Sequence, residues 1–203
     1  MKREDIKELH YITHIDNLLS ISKNGILSHE KSKKMQHKSV ANTEVQEHRA
    51  KVVIPGGRKL HCYANLYFNA RNPMMYVIVV DNEKHKELAV IQVDPSVLDG
   101  DGVIISDRNA SSKYVRFYPS PDGLAKLNKD YIFAKYWTDS DPFIELEKRS
   151  TICAEVLIPD CIPPEFIKGI HVSCNESLEK VKSLLISSLF IDKISINTDL
   201  FFQ

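Results

Sequence analysis

The chain is predicted to have an α+β fold, with two packed, mostly antiparallel sheets and peripheral helices. Its predicted strands fall in groups of three, its helices are few, and neither GxGxxG nor GxxxxGK[ST] occurs. Grouped strands favour this class over a doubly wound sheet, and the missing glycine motifs remove the two common phosphate loops. With 203 residues, 43% of them hydrophobic, the chain can bury one core, and we expect residues 1–203 to form a single domain.

The N-terminal segment combines a short strand with a helix. Residues 9–12 are predicted as the strand, and Thr13 as the N-cap of the helix, with Asp16 completing a capping box. Asn24-Gly25 is expected to end this helix. Its buried face should consist of Ile15, Leu18 and Leu19.

The segment from His29 to Leu60 carries a local excess of positive charge. In the whole chain 27 Lys and Arg balance 27 Asp and Glu, yet this segment has eight basic residues and three acidic ones. Such a stretch is either a polyanion contact or a solvated loop. Apart from a helix predicted around 42–51, its periodicity is weak until Pro55-Gly56-Gly57, and a long loop in a compact domain is more often functional.

The rest of the chain is predicted to alternate between strands and two longer helices. The strands are Met75–Val80, Leu88–Val93, Val103–Ile105, Val115–Tyr118, Ile152–Ile158 and Gly169–Val172. The helices are Leu124–Trp137 and Ser177–Phe190.

Cysteine usage and hydropathy indicate a soluble cytoplasmic protein. The four cysteines form no CxxC pair and no secretory leader precedes them, so we expect reduced thiols. No His or Cys pair has the spacing of a zinc site, so no metal is expected. No apolar run approaches the roughly 20 residues that span a bilayer, so no membrane contact is expected either.

One carboxylate, Glu155, lies inside the apolar run Ile152–Pro159. Burying an ionised carboxylate without a partner costs several kcal/mol, so an acid retained beside a sheet core is a candidate functional group. The alternative is that Glu155 faces solvent on a half-exposed strand.

Six sequence blocks occur in the order found in the DarT family, and the chain resembles that family over nearly its whole length. The blocks are Leu9-His-Tyr-Ile-Thr-His-Ile-Asp-Asn-Leu18, Gln46-Glu-His-Arg-Ala-Lys-Val52, Tyr67-Phe-Asn-Ala-Arg-Asn-Pro-Met-Met-Tyr76, Ser106-Asp-Arg-Asn-Ala110, Tyr136-Trp-Thr-Asp139 and Ala154-Glu-Val-Leu-Ile-Pro159. The resemblance implies an ADP-ribosyltransferase fold and a bacterial toxin that transfers ADP-ribose from NAD to a base in single-stranded DNA.

The resemblance also implies which residues form the site. Glu155 corresponds to the catalytic glutamate, and Arg49 to a basic residue that contacts NAD or assists the chemistry. Tyr67 corresponds to the aromatic residue beside the nicotinamide, although core packing is the other explanation for it. The remaining residues implied in NAD binding are Tyr11, Thr13, His14 and Asn17.

The first block departs from the family pattern. Members commonly have Tyr-His-Ile-Thr-His, whereas this chain has His10-Tyr11-Ile12-Thr13-His14. Adjacent strand residues face opposite ways, so the exchange is expected to place Tyr11 in the pocket and to leave His10 without a role there.

Individual residues indicate less about which molecule accepts the ADP-ribose and which proteins act with the chain. The resemblance favours thymine, with guanine in related groups, and implies a macrodomain-containing, DarG-like antitoxin. Positively charged side chains hold single strands by their phosphates, and those predicted for this task are Lys33, Lys34, Lys38, Arg71 and Arg108. Transfer to another base, to RNA or to protein remains an alternative, as does a non-catalytic nucleic-acid-binding module.

Overall fold

The computed structural model describes residues 1–203, and ten strands form its framework. The strands are β1 Leu9–His14, β2 Ile26–Leu27, β3 Tyr63–Tyr67, β4 Leu88–Val93, β5 Ile104–Ser106, β6 Phe117–Pro119, β7 Glu155–Pro159, β8 Cys161–Ile162, β9 Ile167–Val172 and β10 Ile194–Ile196.

Eight of the strands form one sheet in the order β10-β9-β4-β1-β3-β7-β5-β6, and β2 pairs with β8 in a small second sheet. Every pair is antiparallel except β9 with β10. The large sheet consists of two four-stranded halves, because β1 and β3 share only the pair His10↔Tyr67, whereas β1 and β4 share six. The predicted α+β class, with mostly antiparallel pairing, is confirmed.

Seven α-helices surround this sheet, and none is long and apolar enough to span a membrane. They are α1 Leu18–Asn24, α2 His29–Ser32, α3 Thr43–Lys51, α4 Pro73–Tyr76, α5 Lys129–Ile132, α6 Pro142–Thr151 and α7 Asn175–Leu184. The largest cluster of buried apolar residues contains residues of β1, β4, β7 and β9 together with residues of α1 and α7.

The strand predicted at Met75–Val80 is wrong, because this segment is α4 followed by the π-helical turn Val77–Asp81. Asn72 caps the helix by accepting a hydrogen bond from the Met75 amide, and a proline at the first helical position favours the helix start. Met75, Ile78 and Val79 are buried at helical spacing. A strong local start signal therefore outweighs the β propensity of the valines and isoleucine.

The N-terminal helix begins later than predicted. Strand β1 continues through Thr13 to His14, and the His14 ring, not the Thr13 hydroxyl, accepts the hydrogen bond from the Asp16 amide. Leu19, predicted in the buried face, is 42% exposed, and Ile21 is buried instead. The end at Gly25 is as predicted, where φ is +74°.

Several other boundaries differ from prediction. The helix predicted at Leu124–Trp137 is only a 3₁₀ turn, Asp122–Lys126, and the short α5. The helix predicted to run to Phe190 ends at Leu184. Strand β7 begins at Glu155 and not at Ile152, because α6, which was not predicted, extends to Thr151.

Candidate active site

A cavity of about 700 Å³ opens where the two halves of the sheet separate. Beyond the His10↔Tyr67 pair, β1 and β3 no longer pair with each other, and residues of both strands line the space between them. This volume is in the range of ligand pockets. The side chains predicted to bind NAD all lie in its lining, namely Tyr11, Thr13, His14, Asn17, Arg49 and Tyr67.

Glu155 lies behind this lining, paired with Arg49. The guanidinium donates two hydrogen bonds of 2.9 Å, Nη1 to Oε1 and Nη2 to Oε2. The Glu155 residue is fully buried, which rules out the solvent-facing alternative, and Arg49 is 7% exposed. Only Arg49 borders the cavity. The arginine therefore stands between the carboxylate and any ligand.

The loop after β5 holds the Glu155 carboxylate and main chain. The Ala110 amide donates to Glu155 Oε1 at 2.8 Å, and the Glu155 amide donates to Ser106 Oγ at 3.2 Å. The Ser106 hydroxyl donates in turn to the Arg108 carbonyl at 2.7 Å. Ala110 thus holds the carboxylate together with the arginine, and Ser106 holds the Glu155 main chain. Sequence reasoning had assigned no role to Ser106 or Ala110.

Arg49 is the single buried residue of α3, an otherwise polar helix that Asn42 caps at its N-terminus. Burial by itself lowers the pKa of the Arg49 guanidinium, but the charge and hydrogen bonds of Glu155 outweigh it and raise that pKa. The Arg49 guanidinium therefore stays charged in the pair. Such doubly hydrogen-bonded pairs are specific to arginine because its two terminal nitrogens match the carboxylate oxygens.

Tyr67 is both a cavity residue and a core residue. Its position on β3 is directly opposite Glu155 on β7, and its hydroxyl donates to Met74 Sδ at 3.4 Å. Burial, then the Glu155 charge, raises the pKa of the Tyr67 phenol far above its ordinary value.

Burial and Glu155 likewise raise the pKa of the Cys153 thiol to about 12, so this cavity residue is not a thiolate nucleophile.

The segment 35–42, here called the strap, lines the cavity with every one of its residues. Asn17 attaches it to the body of the protein. The Asn17 side chain donates from Nδ2 to the Lys38 carbonyl at 2.8 Å, and its Oδ1 accepts from the Lys38 main-chain N–H at 2.9 Å. It also donates to Thr13 Oγ1 at 3.1 Å. Asn17 therefore links Thr13 on β1 to the strap.

Two histidines that sequence reasoning missed, His29 and His61, stack in the cavity wall with ring centroids 4.1 Å apart. Burial, then the nearby His29, Lys33 and Arg49 charges, lower the pKa of His61 to about 4, so its ring is neutral. Its Nε2 is buried without a hydrogen-bond partner. Neutral rings with an unused polar atom suit an aromatic, hydrogen-bonding ligand such as a nucleotide base.

The side chains predicted to hold DNA are dispersed, and most are ion-paired. Lys38 lies 2.6 Å from Asp16, and Lys33 lies 3.3 Å from Glu30. Arg71 pairs with Asp199, and Arg108 with Asp107 and Glu147. Of the five, Lys34 alone is exposed without a carboxylate partner. These assignments stay predictions.

Solved structures resemble this fold over almost the whole chain. Thermus sp. 2.9 DarT in complex with ADP-ribosylated ssDNA superposes with a TM-score of 0.83 and 26% identity, covering 99% of both chains. The same protein in complex with NAD+ gives a TM-score of 0.78 and 27% identity, covering 97% of this chain and 98% of that one. The split sheet with its buried glutamate is thus the fold of an ADP-ribosyltransferase.

Sequence relatives narrow the class further. The family model for "ssDNA thymidine ADP-ribosyltransferase, DarT" matches residues 10–202. A DNA ADP-ribosyl transferase of Thermus sp. is 32% identical over 186 residues, covering 87% of this chain and 86% of that protein. The chain therefore belongs to the DarT family of single-stranded DNA thymidine ADP-ribosyltransferases.

A longer relative comes from Thermosipho africanus, a DNA ADP-ribosyl transferase–DNA ADP-ribosyl glycohydrolase fusion protein. It is 35% identical over 184 residues, which are 88% of this chain and 46% of the fusion. The chain thus spans about half the length of that relative.

Proposed function

We propose that this chain transfers ADP-ribose from NAD+ to thymine in single-stranded DNA, with residues 1–203 forming one transferase domain. The observation that carries the proposal is the ion pair of Glu155 with Arg49 at the cavity between β1 and β3. The chemistry below assigns a role to each member of the pair.

NAD+ supplies a ribose whose anomeric carbon bears a good leaving group, nicotinamide. The cavity fits it: the volume suits a ligand of this size, and the neutral His29 and His61 rings suit a base. The side chains that would hold NAD+ from β1 and β3 are Thr13, His14 and Tyr67. Asn17 would contribute by holding the strap against β1.

Glu155 acts as a charge stabiliser and a base. A carboxylate beside the ribose orients its hydroxyl and stabilises the positive charge that develops as the glycosidic bond breaks. A thymine ring nitrogen must lose its proton to become nucleophilic, and the same carboxylate accepts that proton.

Arg49 must move before Glu155 can react. In the structure Oε1 of Glu155 accepts from Arg49 and Ala110, and Oε2 accepts from Arg49. Withdrawal of one Nη toward the cavity frees Oε2, while Ala110 continues to hold Oε1. The displaced guanidinium then faces the ligand phosphates, which an arginine binds well.

The fusion in Thermosipho africanus suggests the partner. Its second part is named a DNA ADP-ribosyl glycohydrolase, an activity that would remove the modification made by the first. We propose that a separate hydrolase of this kind, a DarG-like macrodomain antitoxin, restrains this chain as a toxin.

Mass spectrometry tests the function directly. A short single-stranded oligonucleotide containing thymine should gain one ADP-ribosyl group when incubated with the protein and NAD+. Matched oligonucleotides without thymine, and the Glu155→Gln protein, are the controls. NAD+ turnover with no label on DNA, or with label on RNA or protein, contradicts the proposal.

A further inference from the structure

Three aromatic side chains from distant parts of the chain form a cluster beside the cavity. Tyr76, Trp137 and Phe202 contact one another edge to face, with ring centroids 5.4 to 6.0 Å apart. We call these three residues the aromatic cluster. Edge-to-face contact is a favoured arrangement of aromatic rings.

The cluster is directly next to the proposed active site. Pro73, Met74 and Val77 line the cavity, and Tyr76 belongs to the same helical segment. Met74 contacts the Tyr67 hydroxyl. Asn69 donates to the Ile132 and Ala134 carbonyls, which holds the segment that leads to Trp137.

The cluster has more exposed surface than the fold requires. On this side the core is closed by Met75 and Phe201, both fully buried. Tyr76 is 38% exposed, and Val77 and Val80 beside it are 43% and 41% exposed. Exposed apolar surface of this kind marks a binding surface more often than a structural one.

Two cations accompany the rings. The Arg71 guanidinium lies 4.1 Å from the centre of the Phe202 ring, and its Nε is buried without a partner. The Lys135 ammonium lies 5.9 Å from the Tyr136 ring and 3.7 Å from Asp199. Arg71 pairs with the same Asp199, so the two cations share one carboxylate and keep one net positive charge beside the rings. Aromatic rings combined with positive charge are the recognition pattern for unpaired bases on a single strand.

We propose that the aromatic cluster stacks an unpaired base of the acceptor DNA strand, next to the thymine that enters the cavity. The proposal rests on the proposed function for the identity of that strand. Because stacking tolerates every base, the cluster would contribute affinity and direction of the strand without specifying a base.

Trp137 is the only tryptophan in the chain, so its fluorescence reports on the cluster alone. Without NAD+, titration with a thymidine oligonucleotide should quench this fluorescence at the concentration where anisotropy shows binding. An oligonucleotide of equal length with abasic sites keeps the phosphates and should not quench. No quenching at saturating DNA overturns the proposal.

Substitutions give a second measurement. Trp137→Ala and Tyr76→Ala should each weaken oligonucleotide binding about 5- to 150-fold, the range for losing one stacked base, whereas Trp137→Phe should retain most of the affinity. Leu189→Ala removes an exposed apolar residue elsewhere, 92% exposed, and should have no effect. Unchanged affinity in both alanine variants contradicts the proposal.

The two proposals fail separately. Quenching by DNA in a protein that transfers nothing supports the stacking site and removes the proposed function. Thymine modification without quenching, and with unchanged affinity in Trp137→Ala and Tyr76→Ala, overturns the stacking site and leaves the function intact.

Discussion

Removal of Arg49 should destabilise the protein more than removal of Glu155. Arg49→Ala leaves a fully buried carboxylate with the main-chain amide of Ala110 as its remaining donor. Truncating one member of a buried pair costs about 3 to 5 kcal/mol. For a chain of this size each kcal/mol corresponds to about 2 to 4 °C in Tm, so Arg49→Ala should melt about 6 to 20 °C below wild type.

Glu155→Ala should cost less, about 1.5 to 3 kcal/mol, the value of hydrogen bonds to a charged group. The reason is that the Arg49 side chain borders the cavity and can turn into water, whereas Glu155 cannot. Transfer should nevertheless fall by about 10² to 10⁴, since one positioned general base contributes that much.

Urea unfolding of wild type, both single variants and the double variant at pH 7 gives the coupling energy. The Arg49→Ala/Glu155→Ala protein should be more stable than Arg49→Ala alone, because the unpaired carboxylate is gone. Arg49→Lys keeps the charge but loses the double hydrogen bond, and should be intermediate. Additive losses, or an Arg49→Ala protein within about 2 °C of wild type, would refute the buried pair.

Three further predictions concern two residues of the cavity wall, Asn17 and His61, and the exposed Lys34. Asn17→Ala removes the hydrogen bonds to Lys38, a loss of about 1 to 3 kcal/mol, so steady-state kinetics should show a KM for NAD+ raised about 5- to 150-fold. Limited proteolysis should also cut the strap faster, and an unchanged KM would show that the strap is held by other contacts. Lys34→Ala should reduce the slope of log affinity for single-stranded DNA against log salt by about 0.7. The control is Lys23→Ala, which changes another exposed lysine and should leave the slope as in wild type. A wild-type slope in Lys34→Ala would place the DNA strand elsewhere. The pKa of His61 is lowered from 6.5 to about 4, so its neutral form contributes stability above pH 6.5 that is lost as pH falls toward 4. In urea unfolding between those pH values, His61→Gln should lose less stability than wild type. Equal pH profiles of the two proteins would disprove the contribution.

Hydrophobic patterns in the sequence predicted some secondary-structure elements correctly and others wrongly. Strand β4 was predicted at its observed bounds, because Leu88–Val93 is a short run in which only Gln92 is not apolar, and it lies in the middle of a sheet. Met75–Val80 has a similar composition, but its start by Asn72-Pro73 makes it helical. Composition alone does not separate a buried strand from a short buried helix.

The sequence singled out side chains that the structure places at one cavity, but it did not predict how they are connected. Glu155 was singled out as an acid in an apolar run, and Arg49 by resemblance, yet 106 positions separate them and no local pattern predicts that they pair. Ala110 acts through its main-chain amide, which has no side-chain signature in a sequence. The stacked His29 and His61 lie far apart in the chain and show no periodic pattern.

The single pair that joins the two halves of the large sheet gives the molecule a line of low stiffness. Elsewhere neighbouring strands are held by ladders such as the six pairs of β1 with β4, which resist separation together. At the joint, spreading the halves breaks only the main-chain hydrogen bonds around His10 and Tyr67, whereas the apolar cluster that both halves share keeps them together. At about 0.5 to 1.5 kcal/mol for each hydrogen bond, a ligand can widen the gap at small cost. The gap between the halves can therefore open for a ligand while the paired strands on either side of it stay together.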